Sequence, residues 1–254
     1  MKYSINDFTV DDLQLMSYYT EAKAKHSCSS DVFNDLDLIF SVALQNKDRF
    51  PAIVLSTPSP SAYIDQWISY YFEATKNLPS KRIALPKRSC TDPSIRLIVQ
   101  ISQKKTDRSA LLGEKYHNLF MSSENIQGNL LEEFISIKTR CYGFLWCCGN
   151  ILKSIDFCNT DGSLLVQIKN KSNTENSSSS SVREGTKILK WYRLGTMTIN
   201  GQKLPKYRWD IFNQIVNSHK TEGFNLPACN IKEDDYQSFL VKTAKKNNHL
   251  ITEL

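Results

Sequence analysis

The chain has 254 residues, a formal charge of +6, 41% hydrophobic and 23% charged residues. That length can bury a sizeable core, and these proportions exclude a disordered tail, a collagen-like fibre and a disulfide-stapled miniprotein. The N-terminal MKYSINDFTVDD places acidic residues where a secretory signal needs an apolar stretch, and no run approaches the length of a membrane helix. A cytoplasmic protein with no membrane attachment is therefore expected.

Seven cysteines, at positions 28, 90, 141, 147, 148, 158 and 229, are odd in number and lack paired C-x-x-C spacing. Neither a disulfide framework nor a structural zinc site is expected, and buried thiols in strands account for them. His26, His117, His219 and His249 are scattered without ligand spacing and receive no catalytic role.

Residues 10–25 and 31–46 read as helices, the second with Val32, Leu36, Ile39, Phe40 and Ala43 recurring on one face. Pro51 and the Thr57-Pro58-Ser59-Pro60 cluster interrupt the pattern around a short apolar run over 52–55. A third helix is predicted from Ser61 to Lys76, where Trp67, Tyr70, Tyr71 and Ala74 form an aromatic stripe suited to core packing. Asp92 and Pro93 make a cap and first-turn pair for a helix over 94–103. The next helix starts near Ser122 or Ser123 and carries Ile126, Leu130, Leu131, Phe134 and Ile135 on one arc, with Glu132 and Glu133 on its polar flank. After Arg140 the texture becomes aromatic and apolar as far as Cys148, and Gly149-Asn150 marks a turn. Residues 151–157 then alternate, and Asp161-Gly162 signals a hairpin into a second alternating run over 164–169.

Positive charge is concentrated in one segment. From Lys169 to Arg208 nine basic residues stand against two acidic ones, Glu175 and Glu184, whereas the rest of the chain is close to neutral. Such a surface suits a polyanionic partner, and the charge alone favours nucleic acid weakly.

Asp156 falls near the end of one predicted hairpin strand, with Gln167 and Lys169 on the next. Strand side chains alternate, so Gln167 and Lys169 share a face while Ile168 points to the other. A carboxylate, an amide oxygen and an ammonium group on one face suit phosphodiester hydrolysis. The first two offer hard ligands to a divalent cation, and the third orients water and offsets charge on the phosphorane. A solvated hairpin face with the same residues would need no chemistry.

The tract that follows, Lys169 to Ser181, reads KNKSNTENSSSSS. It is either a plain surface loop or a backbone-contacting one, in which Lys171, Asn173, Asn176, Ser177 and Ser178 meet phosphates through ammonium, amide and hydroxyl groups. Ser181 and Glu184 have capping-box spacing for a helix to about Leu194. On it Arg183, Lys187, Lys190 and Arg193 fall within an arc of about 120°, opposite Val182, Ile188, Leu189 and Tyr192. Arg193 or Arg208 has the forked donors that read guanine.

Taken together, these residues resemble a known family. Lys153-Ser154-Ile155-Asp156-Phe157, Val166-Gln167-Ile168-Lys169-Asn170, the run Asn173 to Ser180, Arg183, Gly185-Thr186 and Lys190-Trp191-Tyr192-Arg193 resemble the SinI family of type II restriction endonucleases. Ser123-Glu124-Asn125 and Gly128 to Ile135 look like the helix that precedes its core, so the clear likeness spans about residues 117–210. The resemblance implies an α/β restriction-endonuclease-like core of the PD-(D/E)xK superfamily, a mixed sheet flanked by helices, with Asp156, Gln167 and Lys169 at its active site. Residues 1–116 would then be a mainly helical region packed on a nuclease core formed by 117–254.

Gln167 departs from the superfamily pattern, where an acid usually stands. Glu132 or Glu133 on the preceding helix, or Glu175 in the loop, would supply the missing carboxylate, with Glu133 preferred beside Asp156 and Gln167 as a metal ligand. The resemblance also implies Mg2+-dependent cleavage of double-stranded DNA within a short palindrome, GGWCC cut after the first G, in a prokaryotic host whose cognate methyltransferase protects the same site. A palindromic duplex is matched most simply by a homodimer. Two other readings stay open on the residues alone: a non-catalytic nucleic-acid-binding protein, and a repair or structure-specific metal-dependent nuclease.

Overall fold

A computed structural model of the chain describes residues 1–83, 93–171, 186–220 and 226–251. The first helices begin where capping residues stand. Asp11 Oδ1 accepts from the Gln14 N–H at 2.8 Å, and Gln14 Oε1 accepts in return from the Asp11 N–H at 3.1 Å, so α1 (Asp12–Ala24) opens on a capping box. α2 (Ser30–Leu44) buries Leu36, Ile39, Phe40 and Ala43, as their spacing predicts. α3 (Pro60–Lys76) starts with Pro60 in its first turn and with Ser59 Oγ accepting from the Ala62 N–H. Its aromatic stripe is core: Trp67, Tyr71 and Ala74 are buried, and Trp67 Nε1 donates to the Ile151 carbonyl at 2.7 Å.

Two compact units emerge. The first comprises Met1–Leu78 and Phe134–Glu233, the second Pro79–Glu133 and Asp234–Leu254. In the first unit, β1 (Lys2–Tyr3) and β2 (Ile53–Val54) form a small antiparallel pair. Its main sheet has five strands in the order β3-β4-β5-β6-β7: β3 (Phe144–Trp146), β4 (Phe157–Asn159), β5 (Leu165–Lys171), β6 (Ile188–Ile199) and β7 (Gln202–Tyr207). Only β5 and β6 run parallel; the other neighbours are antiparallel. The Asp161-Gly162 signal joins β4 to β5 as expected, with Gly162 at φ 73°, a backbone conformation that side-chain-bearing residues rarely adopt. α6 (Trp209–Ser218) packs on β6, its Trp209 and Phe212 rings lying 5.0 and 4.7 Å from Trp191. A mixed sheet flanked by helices is the fold class that the resemblance implies.

The second unit holds α4 (Pro93–Gln103), the part of α5 (Asp107–Thr139) up to Glu133, and α7 (Glu233–Lys246) from Asp234 onward. α5 runs without a break from well before the expected start at Ser122 or Ser123, and the boundary drawn between residues 116 and 117 falls inside it. Asp92, expected to cap α4, lies outside the described residues. Among the described residues, no helix is long and apolar enough to cross a membrane.

The basic helix expected from Ser181 to Leu194 is corrected. Residues 188–199 are the strand β6, hydrogen-bonded to β5. Arginine and lysine at helix-like spacing suggested a cationic face, but Ile188, Trp191, Tyr192, Thr196, Thr198 and Ile199 are residue types that fit a pleated surface. Burial alternates accordingly, with Trp191 and Arg193 inside. The Asn200-Gly201 turn, at φ 50° and 77°, returns the chain into β7, both residues in the left-handed region that the commonest two-residue hairpin requires.

Candidate active site

β4 and β5 bring the three predicted residues together. Asp156 precedes β4 by one residue, yet its backbone is fixed on both sides: its N–H donates to the Val166 carbonyl at 2.9 Å and its carbonyl accepts from the Cys147 N–H at 2.9 Å. Its carboxylate turns onto β5, where Oδ2 accepts from the Ile168 N–H at 2.7 Å. Ile168 lies between Gln167 and Lys169, so the carboxylate stands against the stretch of strand that carries both. Burial pushes the Asp156 carboxyl above the ordinary carboxylate range, while the Ile168 amide and the Lys169 ammonium pull it down; burial prevails. Gln167 is 8% exposed, and its Oε1 is buried without a hydrogen-bond donor. Native interiors rarely leave such an acceptor unpaired, and here it belongs to the residue next to Ile168, whose N–H holds the Asp156 carboxylate.

β6 extends the same face. In the parallel register Gln167 is the Cα partner of Lys190, and Lys169 of Tyr192. Laterally paired residues project to the same side of a sheet, so Lys190 and Tyr192 stand beside the amide and the ammonium. Lys190 was expected as a DNA contact on a helix, whereas Tyr192 was assigned to that helix's apolar side. The β-branched and aromatic residues between Ile188 and Ile199, running into the Asn-Gly turn, are the signal that would have placed both. Cys147, Cys148, Cys158 and Cys229 are buried, and the described residues contain no cluster of three or more His, Cys, Asp or Glu arranged to hold a metal.

This region is also where the chain is matched by known proteins. A profile of the SinI restriction endonuclease family fits residues 61–226, a span that includes the whole five-stranded sheet. The chain belongs to the SinI restriction endonuclease family. It is 31% identical over 173 residues to the type II restriction enzyme SinI of Salmonella infantis, covering 66% of this chain and 67% of that enzyme. It is 29% identical over 180 residues to the type II restriction enzyme Eco47I of Escherichia coli, covering 69% and 71%. As a member of the SinI family the chain is an enzyme, a type II site-specific deoxyribonuclease.

The other residues singled out in this SinI-family chain fall in three groups. Lys171 and Lys187 are exposed, at the end of β5 and just before β6. Asn173, Asn176, Ser177, Ser178 and Arg183, like Glu175, lie outside the described residues. The Arg193 side chain is used within the protein, whereas Arg208 is half-buried and bonded through its backbone. Arg193 is 5% exposed, donates through Nη1 to Glu233 at 2.6 Å and through Nε to Asn170 at 2.8 Å, and stacks over the Tyr207 ring at 5.3 Å. Its expected place on a DNA-facing surface is therefore corrected. Arg208 sits at the start of α6, where its N–H donates to the Arg193 carbonyl and its own carbonyl accepts from Trp191 Nε1. Glu133, the preferred third metal ligand, is 4% exposed, and its two oxygens accept from the Ser80 N–H at 2.7 Å and the Ser80 hydroxyl at 2.6 Å.

Proposed function

We propose that the chain hydrolyses both strands of double-stranded DNA within a short palindromic site, with Asp156, Gln167 and Lys169 as its catalytic residues and Mg2+ as its cofactor. The observation that carries this reading is the buried, unpaired Oε1 of Gln167 beside the Asp156 carboxylate. Two oxygens on one side of β5 form a hard donor set that suits a divalent cation keeping several waters. When bound, the cation supplies Lewis acidity toward a phosphoryl oxygen and acidifies water. Lys169 offsets charge that develops on the phosphorane and orients the attacking water, and Lys190 adds positive charge on the same face. Glu133 is engaged by Ser80, so the reading rests on Asp156 and Gln167 as ligands.

One such site cuts one strand, and two-fold symmetry in the DNA calls for two chains related by a two-fold axis. We take the enzyme to act as a homodimer, on GGWCC cut after the first G as the family resemblance implies, with a cognate methyltransferase protecting the host copy. Digestion of plasmid DNA with Mg2+, followed by sequencing of the fragment ends, tests class, site and cut position together. Discrete fragments with uniform ends at GGWCC are expected. Binding without cleavage indicates a nucleic-acid-binding protein, and cuts at junctions or a smear indicate a structure-specific nuclease.

A further inference from the structure

We propose that a basic pocket in the second unit binds backbone phosphates of the DNA substrate, at a site that includes none of Asp156, Gln167 and Lys169. This rests on the reading of the chain as an enzyme that acts on double-stranded DNA. The pocket has a volume of about 470 Å3 and is lined by Lys81, Lys242 and Lys246, with Ser80, Asn247 and Phe239 among its other walls and no carboxylate among its lining residues.

The lysines come from distant parts of the chain. Lys81 ends the short turn Pro79–Lys81, whereas Lys242 and Lys246 stand on the last turns of α7. Asn247 ties the two elements together, its Nδ2 donating to the Ser80 carbonyl at 3.1 Å and the Arg82 carbonyl at 2.9 Å across 167 and 165 residues. From behind, Glu133 holds the Ser80 hydroxyl and amide. Lysines in the last turn of a helix complement its dipole without any ligand. That account covers Lys246 but not Lys81, which a separate element brings to the same pocket. Three ammonium groups line the pocket against one buried carboxylate, that of Glu133 bonded to Ser80, and an anion relieves the repulsion that remains. Compact, strongly hydrated ammonium groups suit phosphate oxygens irrespective of base, and the Phe239 ring offers an apolar wall for a deoxyribose. α7 lies beyond residues 61–226, so Lys242 and Lys246 fall outside what the family profile matches, whereas Ser80 and Lys81 fall within it.

The experiment compares the full-length protein with two triple variants of equal charge loss, K81Q/K242Q/K246Q in the pocket and K105Q/R108Q/K115Q elsewhere on the second unit. Affinity for a labelled duplex is measured by fluorescence anisotropy over a salt series without divalent metal, and plasmid cleavage by the wild type is recorded in parallel with Mg2+. Each phosphate contact contributes about 0.9 to the slope of log affinity against log salt. The pocket variant is expected to lose about 2 to 3 from that slope, while the control keeps the wild-type slope. An unchanged slope in the pocket variant, or an equal loss in both variants, overturns the pocket as a phosphate site. If the wild type neither binds nor cleaves DNA, the nuclease reading itself fails, and the pocket's proposed role fails with it.

Discussion

β5 and β6 carry two polar groups back to back on opposite faces of one sheet, and the two are completed to different degrees. On one face Arg193 is paired with Glu233 and Asn170, Glu233 accepts a second bond from Trp209 Nε1 at 2.8 Å, and Trp191, Trp209 and Phe212 wall the group off. On the other face Gln167 keeps a buried acceptor with no donor, and Asp156 holds a carboxyl whose charged form burial disfavours. Neighbouring residues of the same strands thus obey opposite rules. A polar group that serves the fold is satisfied inside the protein, whereas one that serves a ligand is left open and makes the empty protein less stable.

The comparison breaks first at the open face. Asp156→Ala and Lys169→Ala are expected to lower single-turnover cleavage by at least about 10³-fold while retaining most DNA affinity, because both act on transition-state charge more than on docking. Wild-type cleavage in either variant would remove the site. The closed face answers to a different measurement. Glu233→Ala leaves the buried Arg193 guanidinium uncompensated and strips Trp209 Nε1 of its acceptor, which is expected to lower stability by about 3–5 kcal/mol in urea unfolding. Were the loss below about 1 kcal/mol, as for an exposed ion pair, the closed face would not be the structural one.

Much of this arrangement was legible in the sequence, for reasons that differ by element. α1, α2 and α3 showed themselves because Asp11, Ser59 and Pro60 mark helix starts and the apolar residues recur at helical spacing on a single buried face. The β4–β5 turn followed from Asp161-Gly162, and with it the shared face of Gln167 and Lys169, but the first strand, expected over 151–157, lies at Phe157–Asn159. β6 was not recognised, since its cations fall at intervals that fit a helix as well as a strand. The pairing with β5 that fixes it is a non-local contact, and the cation spacing masked the local signal of strand-favouring residues running into Asn200-Gly201. The role of Arg193 was hidden for the same reason: its partner Glu233 lies 40 residues further on. Nor did anything in the spacing reveal that Glu133 would be claimed by Ser80, 53 residues earlier.

The finest test asks whether the open face is held open at a measurable loss of stability. Gln167→Met keeps the shape of the side chain and removes the unpaired acceptor, so the metal-free protein should gain about 1–3 kcal/mol while losing cleavage. Asp156→Asn preserves an oxygen to accept from the Ile168 N–H and removes the charge. Because the folded Asp156 carboxyl is raised, the folded state holds its proton more tightly than the unfolded chain does. The stability this lends is complete below the unfolded carboxylate value, near about 4, and is lost as pH rises through the raised folded value. In EDTA at pH 8 the Asn variant should therefore melt above the wild type, and the difference should shrink as the pH falls back through the raised value toward pH 4. Adding Mg2+ should raise the melting temperature of the wild type and leave that of Asp156→Asn unmoved, because only the wild type retains the carboxylate that binds the ion. Should both variants melt below the wild type in EDTA at pH 8, the two faces would be alike, each polar group serving the fold.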